Sequence, residues 1–522
     1  MNISVIIPCA GKATRMRPLS NASSKSLIPV NGKPIISYIL EHLETLEGIS
    51  EVIIVQNDLK DIEEYLQGFS FSFSVKFKIQ ENQKGPLDAI YQGYLEANKE
   101  NNIFVWLGDT ICLQDMDFKE SFLVTSKVSD FSRWCLVDRD NNFYDKPQNR
   151  VNTNQALIGI YYFNNRELFD NCINLSINKP EIQGEKQISS LLEEYCKEDI
   201  FKLLETDEWY DCGELGTYYQ SRARLVNRSS REFNTISIDI DKGIVQKSAI
   251  GNSSKKIEWE KNWYNNIYGD REVLIPKVLE SEYGSLKMSW ESGINLSELW
   301  LYDKIKIDQW MLIIDKIFYL YFNVLVDSYE NINREIIQQS YNMYIDKNLK
   351  RIESYWKMDL FNNREDENLT KKFIIDTGTN SIKNINFSKY IHGDFHFGNI
   401  IFEPSIGKIV FIDPRGKWGD IETTAGDINY DMAKILHDWY VGYMFILHNR
   451  YRNGKDLEIF FGKDYEKILN RIYYNLQKYN INIELVKNMA IVLVLTCIPF
   501  HADNQERQRI FLKRALQLIK EK

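Results

Sequence analysis

The run Pro8-Cys9-Ala10-Gly11-Lys12-Ala13-Thr14-Arg15-Met16-Arg17-Pro18 combines small residues with cations, a pairing suited to gripping a polyphosphate. Ala10, Gly11 and Ala13 leave room for backbone N–H groups to approach oxyanions, while Lys12, Arg15 and the later Lys25 supply positive charge. A second run, Ile391-His392-Gly393-Asp394-Phe395-His396-Phe397-Gly398-Asn399-Ile400, concentrates imidazoles, a carboxylate and a carboxamide. After a turn comes Ile409-Val410-Phe411-Ile412-Asp413, a strand-like run ending in another carboxylate. By residue type alone, His392, Asp394 and His396 could also ligate zinc.

The elements that must position these groups are legible from periodicity. Ile3-Ser4-Val5-Ile6-Ile7 reads as a buried strand, and an amphipathic helical pattern begins near Pro34. Strand-like runs at 51–55, 73–79 and 103–107 alternate with helical patterns at 59–66 and 86–98, which implies βαβ units and a mostly parallel, Rossmann-like α/β sheet. In such sheets ligands bind at the carboxyl ends of the strands, where the first run falls. An ordinary strand-turn-helix connection is the plainer alternative for it. From Asn227 the chain turns polar and aperiodic, reading as a linker over 229–234 between a domain at 1–228 and one at 235–522. The second domain opens with the alternating run Thr235-Ile236-Ser237-Ile238-Asp239-Ile240, and from Leu299 onward it is helical and rich in aromatics.

Continued by Ser24-Lys25-Ser26-Leu27-Ile28-Pro29-Val30-Asn31-Gly32-Lys33-Pro34, the first run resembles the signature loop of the sugar-phosphate nucleotidyltransferases, such as the glucose-1-phosphate thymidylyltransferases. That signature reads A-G-x-G-T-R-[LM]-x-P-x-T, then P-K-x-L-x-P-V and K-P-[IML]. This chain departs from it at Ala13, where the family has glycine, and at Ser24, where it usually has proline. An alanine at 13 speaks against positive φ there. Further matches follow: Gln80 with Gly85-Pro86-Leu87-Asp88-Ala89-Ile90, then Leu107-Gly108-Asp109, Asp145-Lys146-Pro147, Gly159, Gly184-Glu185 and Trp209-Tyr210-Asp211-Cys212-Gly213. The resemblance implies that Ala10, Gly11, Lys12, Gln80 and Gly85 bind a nucleotide and that Arg15 and Lys25 act in catalysis. It implies further that Lys146, Gly159 and Glu185 hold a sugar phosphate and that Asp109 and Asp211 ligate Mg²⁺.

The second run, with Asp413, is similar to the H-G-D-x-H-x-x-N and later I-D of the aminoglycoside phosphotransferase and choline kinase group, relatives of the protein kinases. The resemblance implies a bilobal α+β domain, with a small lobe near 235–298 and a helical lobe near 299–522. Asp394 would orient the acceptor hydroxyl, Asn399 and Asp413 would ligate Mg²⁺, and Arg415 would touch phosphate or substrate. Lys247 would reach the ATP phosphates with Glu258 or Glu260 as its partner, and Leu286-Lys287-Met288-Ser289-Trp290-Glu291 would receive adenine. His392 is expected to brace the loop. No glycine-rich phosphate loop of the protein-kinase sort is present in the sequence.

A net charge of -9 over 522 residues argues against a nucleic-acid partner, which calls for a basic surface. The seven cysteines form no C-x-x-C pair, which fits a reducing compartment without structural zinc. The apolar run Met489 to Phe500 is too short to span a bilayer and reads as a buried helix. The expected protein is therefore a cytoplasmic bifunctional enzyme without a membrane span, open to forming a homo-oligomer. It would use ATP to phosphorylate a small sugar or alcohol, then join the phosphate to a second NTP (CTP, UTP, dTTP or GTP) to give a nucleotide sugar for surface polysaccharide. A CDP-activated choline, amino alcohol or polyol is the alternative product, and a nucleotide sensor with one inactive domain is the alternative of another class.

Overall fold

The computed structural model of the chain describes residues 2–81, 83–181, 184–228, 234–302, 304–329, 334–361, 363–454 and 456–522. It divides into two compact units, Met1–Arg224 and Leu225–Lys522.

In the first unit one sheet carries β1 (Ile3–Pro8), β2 (Ile49–Gln56), β3 (Ser74–Ile79), β4 (Asn102–Trp106), β5 (Phe122–Lys127), β6 (Cys135–Val137), β7 (Phe143–Asp145), β8 (Gln155–Phe163) and β9 (Lys202–Glu205). The spatial order is β7-β6-β8-β4-β1-β2-β3, with β5 pairing both β8 and β9. Four pairings are parallel, β1–β2, β1–β4, β2–β3 and β5–β9. Four are antiparallel, β8 with β4, β5 and β6, and β6 with β7. The expectation of a mostly parallel sheet is thus corrected to a mixed one. The βαβ alternation holds only as far as β4, beyond which the chain returns through β8 in the opposite direction. Val5, Ile6 and Ile7 of β1 are fully buried, as a strand covered on both faces must be. Helix α1 (Ile35–Leu43) turns Ile35, Ile36, Ile39, Leu40 and Leu43 inward at helical spacing. Helix α2 (Asp61–Leu66) follows β2, and α3 (Pro86–Glu96) starts with Pro86 at its first turn, where a missing N–H costs nothing.

Asn227 and Arg228 lie in helix α4 (Leu215–Arg228), so the polar stretch there is helical and not linker. The Asn227 carboxamide receives the N–H of Ile238 at 2.7 Å and donates to its carbonyl at 3.1 Å, which explains a polar residue at that helix end. Residues 229–233 of the expected linker lie outside the described residues, and Asn234 already begins a strand.

The second unit opens with a four-stranded antiparallel sheet of β10 (Asn234–Asp239), β11 (Ile244–Ala249), β12 (Val278–Glu282) and β13 (Ser285–Ser289), ordered β10-β11-β13-β12. Helix α5 (Ser254–Asn265) packs on it and buries Ile257, Glu260, Trp263 and Tyr264. The remainder is mainly helical and includes α6 (Lys347–Glu353), α7 (Arg364–Lys383), α8 (Ile428–Leu436) and α9 (Ile483–Cys497). Between α7 and α8 lies the hairpin of β14 (Ile400–Glu403) and β15 (Lys408–Phe411). The apolar run expected to be too short to span a bilayer lies within a longer stretch, Ile483–His501, which is long and apolar enough to cross a membrane, although 56% of its apolar window is buried inside the structure, against α7 and α8 among others.

Candidate functional site

Lys25 and Asp109, both half-buried, form an ion pair across the mouth of the first sheet. Asp109 follows β4 and the small loop follows β1, so the parallel β1–β4 pairing places both at the same carboxyl edge. Burial pushes the Asp109 carboxyl up, but the charges of Lys25 and Arg15 outweigh it and hold the group below its ordinary value. Arg15 itself is exposed, as are Gly11 and Lys12, while Ala10 is buried with its carbonyl held by Gln83 Nε2 at 2.8 Å. Ala13 does adopt positive φ, +49°, so the substitution leaves the left-handed geometry in place and the loop carries the strain. The other departure has its own partner: Ser24 donates both its N–H and its hydroxyl to the Asp61 carboxylate of α2, each at 2.5 Å. A proline could make neither bond.

Asp211 comes to the same edge because Trp209–Asp211 pairs antiparallel with Thr110–Cys112, and Cys212 N–H donates to the Asp109 carbonyl at 3.1 Å. Burial pushes the Asp211 carboxyl up, and the nearby Asp109 charge adds to this. Its Oδ2 is buried without a hydrogen-bond partner, and Arg133 approaches it only to 3.9 Å while holding Glu214 at 2.8 Å. Two adjoining carboxylates with an unsatisfied buried oxygen are a donor set that fits Mg²⁺, which commonly takes one or two carboxylates and otherwise substrate oxygens or water.

Gln80 is buried against Asp88 (2.5 Å) and contacts the Gly85 carbonyl (3.4 Å). Gly85 and Glu185 adjoin, since a Cβ on Gly85 would lie 2.9 Å from the Glu185 Cβ, and Gly85 holds φ of +109° at the start of α3. Glu185 is exposed. Gly159 has φ of +92° and receives the Leu107 N–H on its carbonyl at 2.9 Å; a side chain there would strike Leu107 at 2.7 Å, just before Asp109. Lys146, half-buried with φ of +45°, donates its N–H to the Trp134 carbonyl, and the Trp134 ring packs edge-on against Trp209 at 4.9 Å. Arg133, Asp61 and Gln83 carried no sequence signal of their own, because each acts through partners far away in the chain.

In the second unit Lys247 of β11 is buried and bonds Glu260 of α5 at 2.6 Å and also Asp413. Burial alone would lower this lysine, but the two carboxylates push it up to about 12. Glu260, not Glu258, is its partner; Glu258 binds Lys261 and the Gly284 N–H. Asp413, beyond β15, holds φ of +59° and donates its N–H to Tyr264 at 3.1 Å. Asn399 is drawn beside it, since the Asn399 carbonyl accepts the Ile412 N–H at 3.0 Å, while its carboxamide donates to Asp394 Oδ2 at 3.2 Å. Asp394 pairs with Lys434 of α8 at 2.8 Å. Burial raises that carboxyl, yet Lys434 and His396 overcome it and hold Asp394 far below its ordinary value. His392 is a brace: burial keeps it neutral, down to about 4, and its Nε2 meets the Ile412 carbonyl at 2.8 Å. Asp431 of α8 accepts the N–H groups of His392 and Gly393, both at 2.8 Å, and so fixes the loop. Arg415 bonds the Tyr430 hydroxyl at 2.9 Å and lines the same cavity as Asp394 and Asp413. The hinge-like run at 286–291 begins inside β13. No group of three or more His, Cys, Asp or Glu side chains able to hold a metal occurs among the described residues, which leaves the zinc reading of His392, Asp394 and His396 without support. Asp413 and Asn399 fit a single Mg²⁺ shared with phosphate oxygens.

Comparison with known proteins bears on the first unit. The family model described as nucleotidyl transferase matches residues 4–228. The bifunctional protein GlmU of Methanocaldococcus jannaschii is 26% identical over 258 residues, covering 48% of this chain and 60% of that protein. The glucose-1-phosphate thymidylyltransferase of Neisseria meningitidis serogroup A / serotype 4A is 29% identical over 217 residues, 37% of this chain and 71% of that one. The D-glycero-alpha-D-manno-heptose 1-phosphate guanylyltransferase of Campylobacter jejuni subsp. jejuni serotype O:2 is 30% identical over 168 residues, 30% of this chain and 75% of that one. The chain spans 52–62% of the length of the GlmU proteins it matches. With its matched residues carrying the loop, the paired carboxylates and the mixed sheet described above, the chain belongs to the nucleotidyl transferase family.

Proposed function

We propose that the first unit condenses a sugar 1-phosphate with an NTP and that the second makes a phosphate ester from a hydroxyl compound and ATP, so that one chain carries two consecutive steps. The observation that carries the first step is the Asp109–Asp211 pair beside Lys25 at the edge of the sheet. A phosphate oxygen of the sugar phosphate attacks the α-phosphorus of the NTP, the bond to the β-phosphate breaks, and pyrophosphate leaves. Lys25 and Arg15 offset the negative charge that develops, while Lys146, Gly159 and Glu185 hold the sugar phosphate. Ala10, Gly11, Lys12, Gln80 and Gly85 seat the nucleotide. Asp109 and Asp211 would hold Mg²⁺, which neutralises phosphate charge when bound.

The second step rests on Lys247 joined to both Glu260 and Asp413, with Asp394 held ionised next to Lys434. This arrangement suits a kinase-like phosphotransferase. Asp394 accepts the proton of the acceptor hydroxyl as its oxygen attacks the γ-phosphorus and ADP departs. Lys247 binds phosphate, and Asn399 and Asp413 would hold a second Mg²⁺.

The product would be a nucleotide-activated sugar, made in the cytoplasm as a donor for surface polysaccharide. The three relatives compared above are named for sugar 1-phosphate chemistry or for a bifunctional protein, which favours a sugar over an amino alcohol. The test is to supply Mg-ATP, each NTP and a panel of sugars, sugar phosphates and alcohols while following ADP and pyrophosphate separately. Both products are expected. A nucleotide sensor would yield neither.

A further inference from the structure

The cavity of about 600 Å³ in the second unit extends from Asp394 and Asp413 towards α6 and α9. Its acidic lining groups are already partnered: Glu260 and Asp413 share Lys247, and Asp394 pairs with Lys434. Four lining cations are not. Lys347 and Arg351 on α6, and Arg415 and Lys417 beyond Asp413, are all half-buried. Among the described residues none of the four has a carboxylate within 4.0 Å. Arg351 donates only to the Thr496 carbonyl, at 2.9 Å, Arg415 donates to a tyrosine hydroxyl, and Lys417 lies 3.8 Å over the Trp259 ring.

Like charges gathered in a half-buried pocket repel one another and cost solvation, and they persist where a ligand of opposite sign completes them. Lys347 shows the cost. Burial first, and then the charges of Arg415, Arg351 and Lys417, hold it down to about 8. The cluster lines the same cavity as Asp394.

We infer that the acceptor of the second unit is a hydroxyl compound bearing an anionic group, a carboxylate or a phosphate, seated on Lys347, Arg351, Arg415 and Lys417. This deepens the phosphotransferase reading and rests on it. The same cluster would repel a quaternary ammonium, so a choline acceptor is disfavoured by charge, and the anion would fix which hydroxyl faces Asp394.

The test uses the full chain with a saturating Mg-bound, non-hydrolysable ATP analogue and inorganic phosphate as the probe of the anion seat, followed by calorimetry. The double variant Lys347→Gln/Arg351→Gln is expected to bind phosphate at least about tenfold more weakly, the loss of charge-assisted contacts, while retaining its affinity for the analogue. Retained analogue affinity also shows that the variant is folded. Equal phosphate binding in both proteins, or none in the parent, overturns the inference. Turnover with glucose, glucuronate, glucose 6-phosphate and choline then separates carboxylate from phosphate, with ADP formation from choline or glucose alone also overturning it. Absence of analogue binding, with the phosphate difference intact, would instead count against the phosphotransferase reading and for an anion pocket.

Discussion

The Lys434 ammonium lies 2.8 Å from Asp394 Oδ1, so one turn of α8 fixes the ionisation of the group at the centre of the second site. Three residues earlier on the same helix Asp431 holds the backbone of the His392–Gly393 loop. Helix α8 therefore sets both the shape and the charge of that loop, since residues three apart share a helix face. Replacing Lys434 with methionine removes the opposite charge, and an opposite charge at this distance is worth about one to three pKa units to a carboxylate. The acid limb of the pH–rate profile for ADP formation is expected to move up by about one unit or more in Lys434→Met. An unmoved limb would show that Asp394 is not the titrating group.

Ser24 and Asp61 form a coupled pair where the family usually has proline. Ser24→Pro, which restores the family residue, is expected to destabilise the first unit by about 1–3 kcal/mol, because the Asp61 carboxylate loses two donors. In an Asp61→Ala background the same change should cost far less. Additive losses in urea unfolding of the four proteins would remove the pair from the account.

Ala13 sits at φ +49°, a conformation that costs a non-glycine residue about 1–2 kcal/mol. Ala13→Gly relieves this and gives back part of it as unfolded-chain entropy. A net stabilisation of about 0.5–1 kcal/mol is expected, with pyrophosphate release retained. A loss of stability would mean that the methyl group contributes packing beyond its strain.

His392 and His437 are both buried, and burial first of all holds them neutral, near 4 and 3. Their folded values are depressed, so the stability they contribute is fully present above the unfolded value near 6.5 and is lost as pH falls towards 4. By pH 5 each contributes a loss of roughly 2 kcal/mol. Urea midpoints of the full chain at pH 7.5 and 5.0 read this out. His437→Phe, which preserves a ring to stack on Tyr443 at 4.7 Å, should shrink the difference. An unchanged difference would assign the acid sensitivity to other groups.

What the sequence discloses here is what lies close together along it. The β-branched run at 3–7, the small-residue loop and the His392–Asn399 segment are contiguous, and their elements follow from local pattern. Lys25, Asp109 and Asp211 were nameable because each sits in its own short motif, although their meeting depends on strand pairing. The mixed sheet was not legible, since an antiparallel return through β8 has the same burial pattern as a parallel one. The tasks of Arg133, Asp61 and Lys434 were not legible because a charged residue is ordinarily solvated, and only its partner across the fold gives it a task. Ala13 misled for the opposite reason: residue preference argued against a backbone conformation that the surrounding loop imposes.

The claim on which the account depends is that two separate phosphorus transfers occur at Asp109 and at Asp394. The direct measurement is ADP and pyrophosphate formation by the full chain, by Asp109→Asn and by Asp394→Asn, each given Mg-ATP, an NTP mixture and either an anionic hydroxyl compound such as glucuronate or a phosphorylated sugar. Asp394→Asn is expected to lose ADP formation while still releasing pyrophosphate from the phosphorylated sugar, and Asp109→Asn to do the reverse. Loss of both products in either variant, or of neither, would contradict it.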